Sequence, residues 1–287
     1  MAVNYIHITT REEFFSAIEE IDNYISDPLW TLGGTLPIIA LDCETTGEKL
    51  YKKKVPLPIC YEEDVPTGLA RLLQIGLNPV YNPKRPVVNR QFVFDLFYLD
   101  MDLLKEYLTP ILNSVNIVGH NIKYDYQFLF MQLGISLEHM VDTMLIGKVL
   151  LAGDDISHGL GEAYKRFLDF TWFIEENKCE EYPEGLNFKD YLQVKEEMQE
   201  SDWSGELTEK QIKYSADDVY FPFFVLDQEQ EWLRDYINTH ESDSRPKQRI
   251  SNIINLEDAL IEVYAQAELR GVPFSSEDQA KVLVVTG

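Results

Sequence analysis

Apolar and polar positions along this chain switch between two periods, one of about two residues and one of about 3.6, from the N-terminus to about Leu226. Interleaving of the two predicts an α/β layer structure in place of separate α and β domains. The expected elements are a strand at Tyr5–Thr9, a helix over Arg11–Ile25, and a buried strand in the apolar run Leu36–Leu41 that ends at Asp42. Leu72–Gly76 and Gln91–Phe97 read as its neighbours. Helical spacing returns over Met101–Leu112, a short strand follows at Asn116–Gly119, and helices are expected over Ile122–Leu133 and Asp142–Leu151. Gly47–Pro66 and Asn78–Asn89 mix prolines, lysines and acids without period and read as loops.

Beyond Leu151 the pattern is mostly helical. Thr208 stands three residues before Gln211, a capping-box spacing that starts a helix through Tyr214 and Asp218 toward Trp232. The polar run from His240 interrupts the period, so the reading is a domain over 1–239, a linker over 240–255 and a helical segment over 256–287, with a helix from Leu256 to Arg270 stopped at Gly271. The start of the chain has no signal-peptide pattern, and no apolar run reaches the roughly 18 residues of a spanning helix, so no membrane is expected and the cytoplasm is. Cys43, Cys60 and Cys179 are widely separated, as reduced thiols are, and suggest neither a disulfide framework nor a zinc site.

Charge complicates a nucleic-acid reading. Lys+Arg total 25 against 49 Asp+Glu, a formal net charge of −24, which is the wrong sign for holding phosphates by neutralisation alone. Divalent cations at an acidic site would reverse that sign locally. The charge is also uneven: Asn177–Asp202 is Glu-rich, whereas Lys49, Lys52, Lys53 and Lys54, and then Lys84, Arg85 and Arg90, form basic runs that are either solvated loops or contacts to DNA.

Three acidic elements change the picture. Asp42 and Glu44 follow the apolar run at i and i+2, the spacing that projects both side chains from one strand face. Two carboxylates so placed repel unless a cation compensates, and an oxygen-rich donor set suits Mg²⁺ or Mn²⁺. Asp125 lies in the first turns of the helix that follows Gly119, and Tyr214 and Asp218 are four apart on a helix, hence on one face. Each element alone is ordinary: a solvated loop start, a dipole-favoured acid, a common helical pair. Their weight comes from occurring together and in order.

That ordered set, D-x-E after a strand, H-N-x-K-Y-D after a second strand and Y-x-x-x-D in a later helix, resembles the DEDDy 3'-5' exonuclease superfamily over roughly Leu36–Val225. It is most similar to the proofreading domain of family A DNA polymerases, with ribonuclease D as the near relative. Ser201–Thr208, Asp142–Leu145 and His158–Leu160 are similar to both groups, while Leu256–Pro273 resembles the helix that leads into a family A polymerase domain. The resemblance implies a ribonuclease H-like mixed sheet flanked by helices, with a helical C-terminal extension. It implies two ions: Asp42, Glu44 and Asp218 on one, Asp42 and Asp125 on the other, and Tyr214 beside the attacking water. Asn121 and Lys123 fall in the second motif, as structural support or substrate contact, and Thr45 and Thr46 follow the first, where they would meet the terminal nucleotide. The expected substrate is the 3' end of single-stranded DNA, whose frayed bases can stack on aromatic side chains; Trp203, Tyr124 and Phe128 are candidates, but most aromatics are core residues and no stack is assigned. An RNA exonuclease of the ribonuclease D kind, or an inactive fold kept as a binding module, are the alternatives, and a polymerase domain in the full-length protein is the expected partner.

Overall fold

The computed structural model describes residues 4–46, 61–62, 65–66, 68–80, 86–152, 155–167, 194–195, 197–198, 201–239 and 244–270. Cys60, Cys179, the basic runs at 49–54 and 84–85, and most of the Glu-rich stretch lie outside these residues.

Eight strands are present among them: β1 (Tyr5–Ile8), β2 (Ile38–Thr45), β3 (Tyr61–Glu62), β4 (Val65–Pro66), β5 (Ala70–Leu77), β6 (Gln91–Asp95), β7 (Asn116–Gly119) and β8 (Met140–Asp142). Six form one sheet in the order β1-β6-β5-β2-β7-β8, and β3 pairs only with β4. β5 runs antiparallel to β2 and β6, whereas β1–β6, β2–β7 and β7–β8 are parallel, which makes the mixed sheet expected of a ribonuclease H-like fold. The helices are α1 (Arg11–Ile25), α2 (Pro28–Gly33), α3 (Met101–Leu112), α4 (Ile122–Leu133), α5 (Thr143–Leu150), α6 (Leu160–Phe167), α7 (Glu209–Asp218), α8 (Pro222–Thr239) and α9 (Ser244–Arg270).

β2 is central and buried on both sides. Ile39, Leu41 and Cys43 join a core with α1, α3 and α4, while Ala40 on the opposite face packs with Leu72, Val93 and the buried side of α7 and α8. Alternation along the strand therefore sends Asp42 and Glu44 toward α7.

Four local expectations need correction. The strand does not end at Asp42 but continues to Thr45, because antiparallel β5 supplies backbone partners opposite both acids, Asp42↔Gln74 and Glu44↔Leu72. The helix begun at Thr208 does not run on to Trp232: Val219 leaves helical geometry and Pro222, which has no N–H to give, opens α8. Residues 244–255 of the expected linker are the first turns of α9, so helicity begins twelve residues before Leu256. Strand β8, and the β3–β4 pair inside the expected loop Gly47–Pro66, escape the sequence because two or three residues are too few to show a period; Asp142, the last of β8, caps α5 through the Met144 N–H at 2.9 Å.

Candidate active site

Three acids from two elements converge where β2 meets α7. Carboxylate oxygens of Asp42, Glu44 and Asp218 all lie within 4.8 Å of one another. β2 fixes the first two through its register with β5, and α7 delivers Asp218. The Thr208–Gln211 capping box starts α7, with the Thr208 hydroxyl accepting from the Gln211 N–H at 3.2 Å and the Gln211 side chain accepting from the Thr208 N–H at 2.9 Å. At its far end the helix comes down onto β5 over Gly76, where a Cβ would stand 2.2 Å from the Val219 carbonyl oxygen. No other residue type permits that approach, so Gly76 sets how closely Asp218 can sit to the sheet.

Asp125 reaches the site from another side. β7 ends at Gly119, and the chain turns through Asn121, the sole non-glycine residue of positive φ among those described, at 63°. Asp142 fastens that turn by accepting the Asn121 N–H at 2.9 Å and the Ile122 N–H at 3.1 Å. The first turn of α4 then places the buried Asp125 so that its Oδ1 accepts the Cys43 N–H at 3.0 Å, tying it to the strand residue between Asp42 and Glu44. Asp125 is not one of the three clustered acids, and stands next to them.

Burial drives the electrostatics. It pushes the carboxyls of Asp42, Glu44 and Asp125 well above the ordinary carboxylate range, and mutual repulsion adds to the effect: Asp218 acts on Asp42, Asp42 and Asp218 act on Glu44, and Asp42 acts on Asp125. Tyr214 is likewise pushed well above the phenol range, by burial and then by Asp218 and Glu44. Such clustering of partly and fully buried acids is unfavourable in the bare protein and suits one or more hard divalent cations, which take carboxylate oxygens and offset their charge. The donor set, all carboxylate with no sulfur or imidazole, fits Mg²⁺ or Mn²⁺.

Lys195 was missed in the sequence. Its Nζ lies 3.3 Å from the Tyr214 hydroxyl and 3.9 Å from Asp218 Oδ1, and its charge partly offsets the rise at Asp42 and Glu44. It stands in a Glu-rich stretch 19 residues before Tyr214, and nothing in the local pattern distinguishes it from a solvated lysine.

The Thr45 hydroxyl is 3.0 Å from that of Tyr124, and the Thr46 hydroxyl accepts the Leu69 N–H at 3.0 Å. Lys123 is paired with Glu268 of α9. Asp217 points away from the cluster, with Oδ2 2.9 Å from Lys213 Nζ, and burial raises its carboxyl to about 6. Trp203 and Phe128 are core residues, buried against Tyr214 and Tyr124 with ring centroids 6.4 and 5.0 Å apart, so neither offers an open face; Tyr124 is half-buried.

Comparison with known proteins bears on this arrangement. A family model described as 3'-5' exonuclease matches residues 5–228. DNA polymerase I of Aquifex aeolicus is 24% identical over 96% of the chain, which spans only 37% of that polymerase's length. Among solved structures, the fold is similar to Trypanosoma brucei RNase D in complex with GMP (TM-score 0.55, 16% identity, 97% of this chain and 70% of that one) and to Brucella melitensis NrnC bound to pGG (TM-score 0.53, 17% identity, 96% and 99%).

Proposed function

We propose, on the premise that this chain belongs to the 3'-5' exonuclease family whose model it matches over residues 5–228, that it removes mononucleotides from the 3' end of single-stranded DNA with two divalent ions, as the proofreading nuclease of a family A DNA polymerase. The observation that carries this reading is the convergence of Asp42, Glu44 and Asp218 within 4.8 Å, with Asp125 bonded to the strand between the first two.

Asp42, Glu44 and Asp218 would hold one Mg²⁺ or Mn²⁺ ion, and Asp42 with Asp125 the other. Bound there, the ions would supply charge neutralisation at the attacking and departing oxygens of an in-line displacement. Tyr214, whose hydroxyl is bonded to Asp218, would orient the attacking water. Thr45 and Thr46, at the end of β2, are assigned to the terminal nucleotide, and Asn121 and Lys123, at the start of α4, to substrate contact. For Lys123 this requires exchange of the Glu268 carboxylate for a phosphate. Residues 1–239 are assigned as the nuclease and 256–287 as the entry to a polymerase domain, acting in the cytoplasm.

Incubation of 5'-labelled single-stranded DNA and RNA with the protein and Mg²⁺ or Mn²⁺ tests the reading. A ladder shortening from the 3' end, abolished by excess chelator, is expected, with DNA degraded faster. Undiminished cleavage in chelator overturns the metal assignment, faster loss of RNA replaces the proofreading role with a ribonuclease D-like one, and no cleavage of either overturns the activity.

A further inference from the structure

Lys195 is largely buried, with 13% of its side chain exposed, and its nearest contact in the site is not a carboxylate. Nζ is 3.3 Å from the Tyr214 hydroxyl oxygen, 3.9 Å from Asp218 Oδ1, and 5.7 Å from the centre of the Tyr214 ring. A tight ammonium–carboxylate bond would be about 2.7–2.9 Å, so the ammonium is held at the phenol and only faces the acid.

An ammonium can only donate, so the phenolic oxygen is the acceptor. A phenol has a single hydrogen, and occupation of its oxygen by Lys195 leaves that hydrogen to the other side, where Tyr214 bonds Asp218. The result is a directed chain, Lys195 to Tyr214 to Asp218, pointing into the acid cluster. Donation to the phenolic oxygen also polarises the O–H bond and strengthens it as a donor. We propose that Lys195 is a positioning residue for the nuclease reaction: it grips the Tyr214 oxygen so that the single phenolic proton stays in its bond to Asp218 and the remaining lone pair of that oxygen is held toward the reacting water. This rests on the function proposed above and adds to it a residue outside the four acids and the tyrosine.

A double-mutant cycle with an independent spectroscopic arm tests it. Lys195→Met should lower kcat by about tenfold or more, but by no more than Tyr214→Phe does, with KM changed less than about twofold. In the Tyr214→Phe background Lys195→Met should cost less than about twofold further, because the oxygen it acts through is gone. Lys195→Arg should restore part of the loss. A rise in KM at unchanged kcat, or full additivity with Tyr214→Phe, overturns the proposal in favour of a direct substrate contact. In metal-free protein carrying ¹³Cζ-tyrosine, the resonance absent from Tyr214→Phe should move in Lys195→Met and move back toward its place in Lys195→Arg. An unmoved resonance overturns the proposal whatever the activity; a moved resonance in a chain that cleaves nothing leaves the contact standing and overturns the exonuclease reading. If Lys195→Met does not fold, Lys195→Gln carries the same measurements.

Discussion

Substituting Gly76 by alanine would separate the two halves of the site without touching any residue in it. Gly76 lies on β5 opposite Ala40, one alternation below the Asp42↔Gln74 pair, and an added Cβ would stand 2.2 Å from the Val219 carbonyl oxygen, 3.0 Å from its carbon and 3.1 Å from its Cβ. Contacts under 3.0 Å do not occur, and the obstacle is backbone, which cannot rotate aside, so the junction after Asp218 must retreat by about 1 Å. Taken alone, glycine to alanine in a strand would favour folding by about 0.5–1 kcal/mol. Overpacking of this kind costs about 1–3 kcal/mol, so the clash wins. Net of that gain the loss is at most about 2.5 kcal/mol, so the thermal midpoint should fall by up to about 10 °C for a domain of this size. The larger effect is on chemistry: a misplacement of about 1 Å is worth about 100-fold in rate. Single-turnover cleavage of labelled single-stranded DNA, Mn²⁺ stoichiometry and the melting midpoint should be measured together, with Gly205→Ala as control, since a Cβ there meets nothing within 4 Å. A Gly76→Ala protein with wild-type rate and midpoint would refute the argument that the approach of α7 to β5 sets the position of Asp218.

Asp218→Asn should lose turnover by about 1,000-fold and one bound Mn²⁺, whereas Asp217→Asn, which changes only a Lys213 contact, should stay within about threefold; single-turnover rates and Mn²⁺ titration of both variants would expose a reversed assignment. Glu229 on α8 is fully buried, and burial, then Asp142 and Asp258, push its carboxyl well above the usual range, with Asp258 itself raised to about 6 by burial. Because the folded protein keeps these protons after the unfolded chain has released them, stability from these groups is present below the unfolded carboxyl range near pH 4 and is lost as pH rises from there through 6 and beyond. The melting midpoint of Glu229→Gln should therefore fall less steeply above pH 5 and exceed that of wild type at pH 8; a parallel pH profile would remove Glu229 from the account.

Much of the site was legible in the sequence because its residues sit where local geometry alone fixes direction. Asp42 and Glu44 two apart on a strand, and Tyr214 and Asp218 four apart on a helix, face together whatever surrounds them. The same local rules placed β5, β6, β7, α1, α3 and α4, from apolar runs in the strands and helical spacing in the helices. Where local signals were short or ambiguous they failed. A charged residue suggests the end of β2, since the pattern cannot show that β5 pairs with the acids themselves, and the polar start of α9 resembles a linker although its helix continues into turns that pack on α4 and α5.

What the chain determined by itself was therefore direction: which faces are apolar, and which acids share a face. What only the tertiary structure decided was distance. Nothing local to residues 42, 125, 195 and 218 brings them together; Gly76 lets α7 close onto β5, the Cys43 N–H draws Asp125 to β2, and Lys195 arrives from a segment whose own pattern gives no hint of a site. Periodicity is a property of neighbours along the chain, and reports orientation about one axis. The gap between two carboxylates depends on packing between elements far apart in sequence, where a single missing Cβ shifts a helix by about 1 Å.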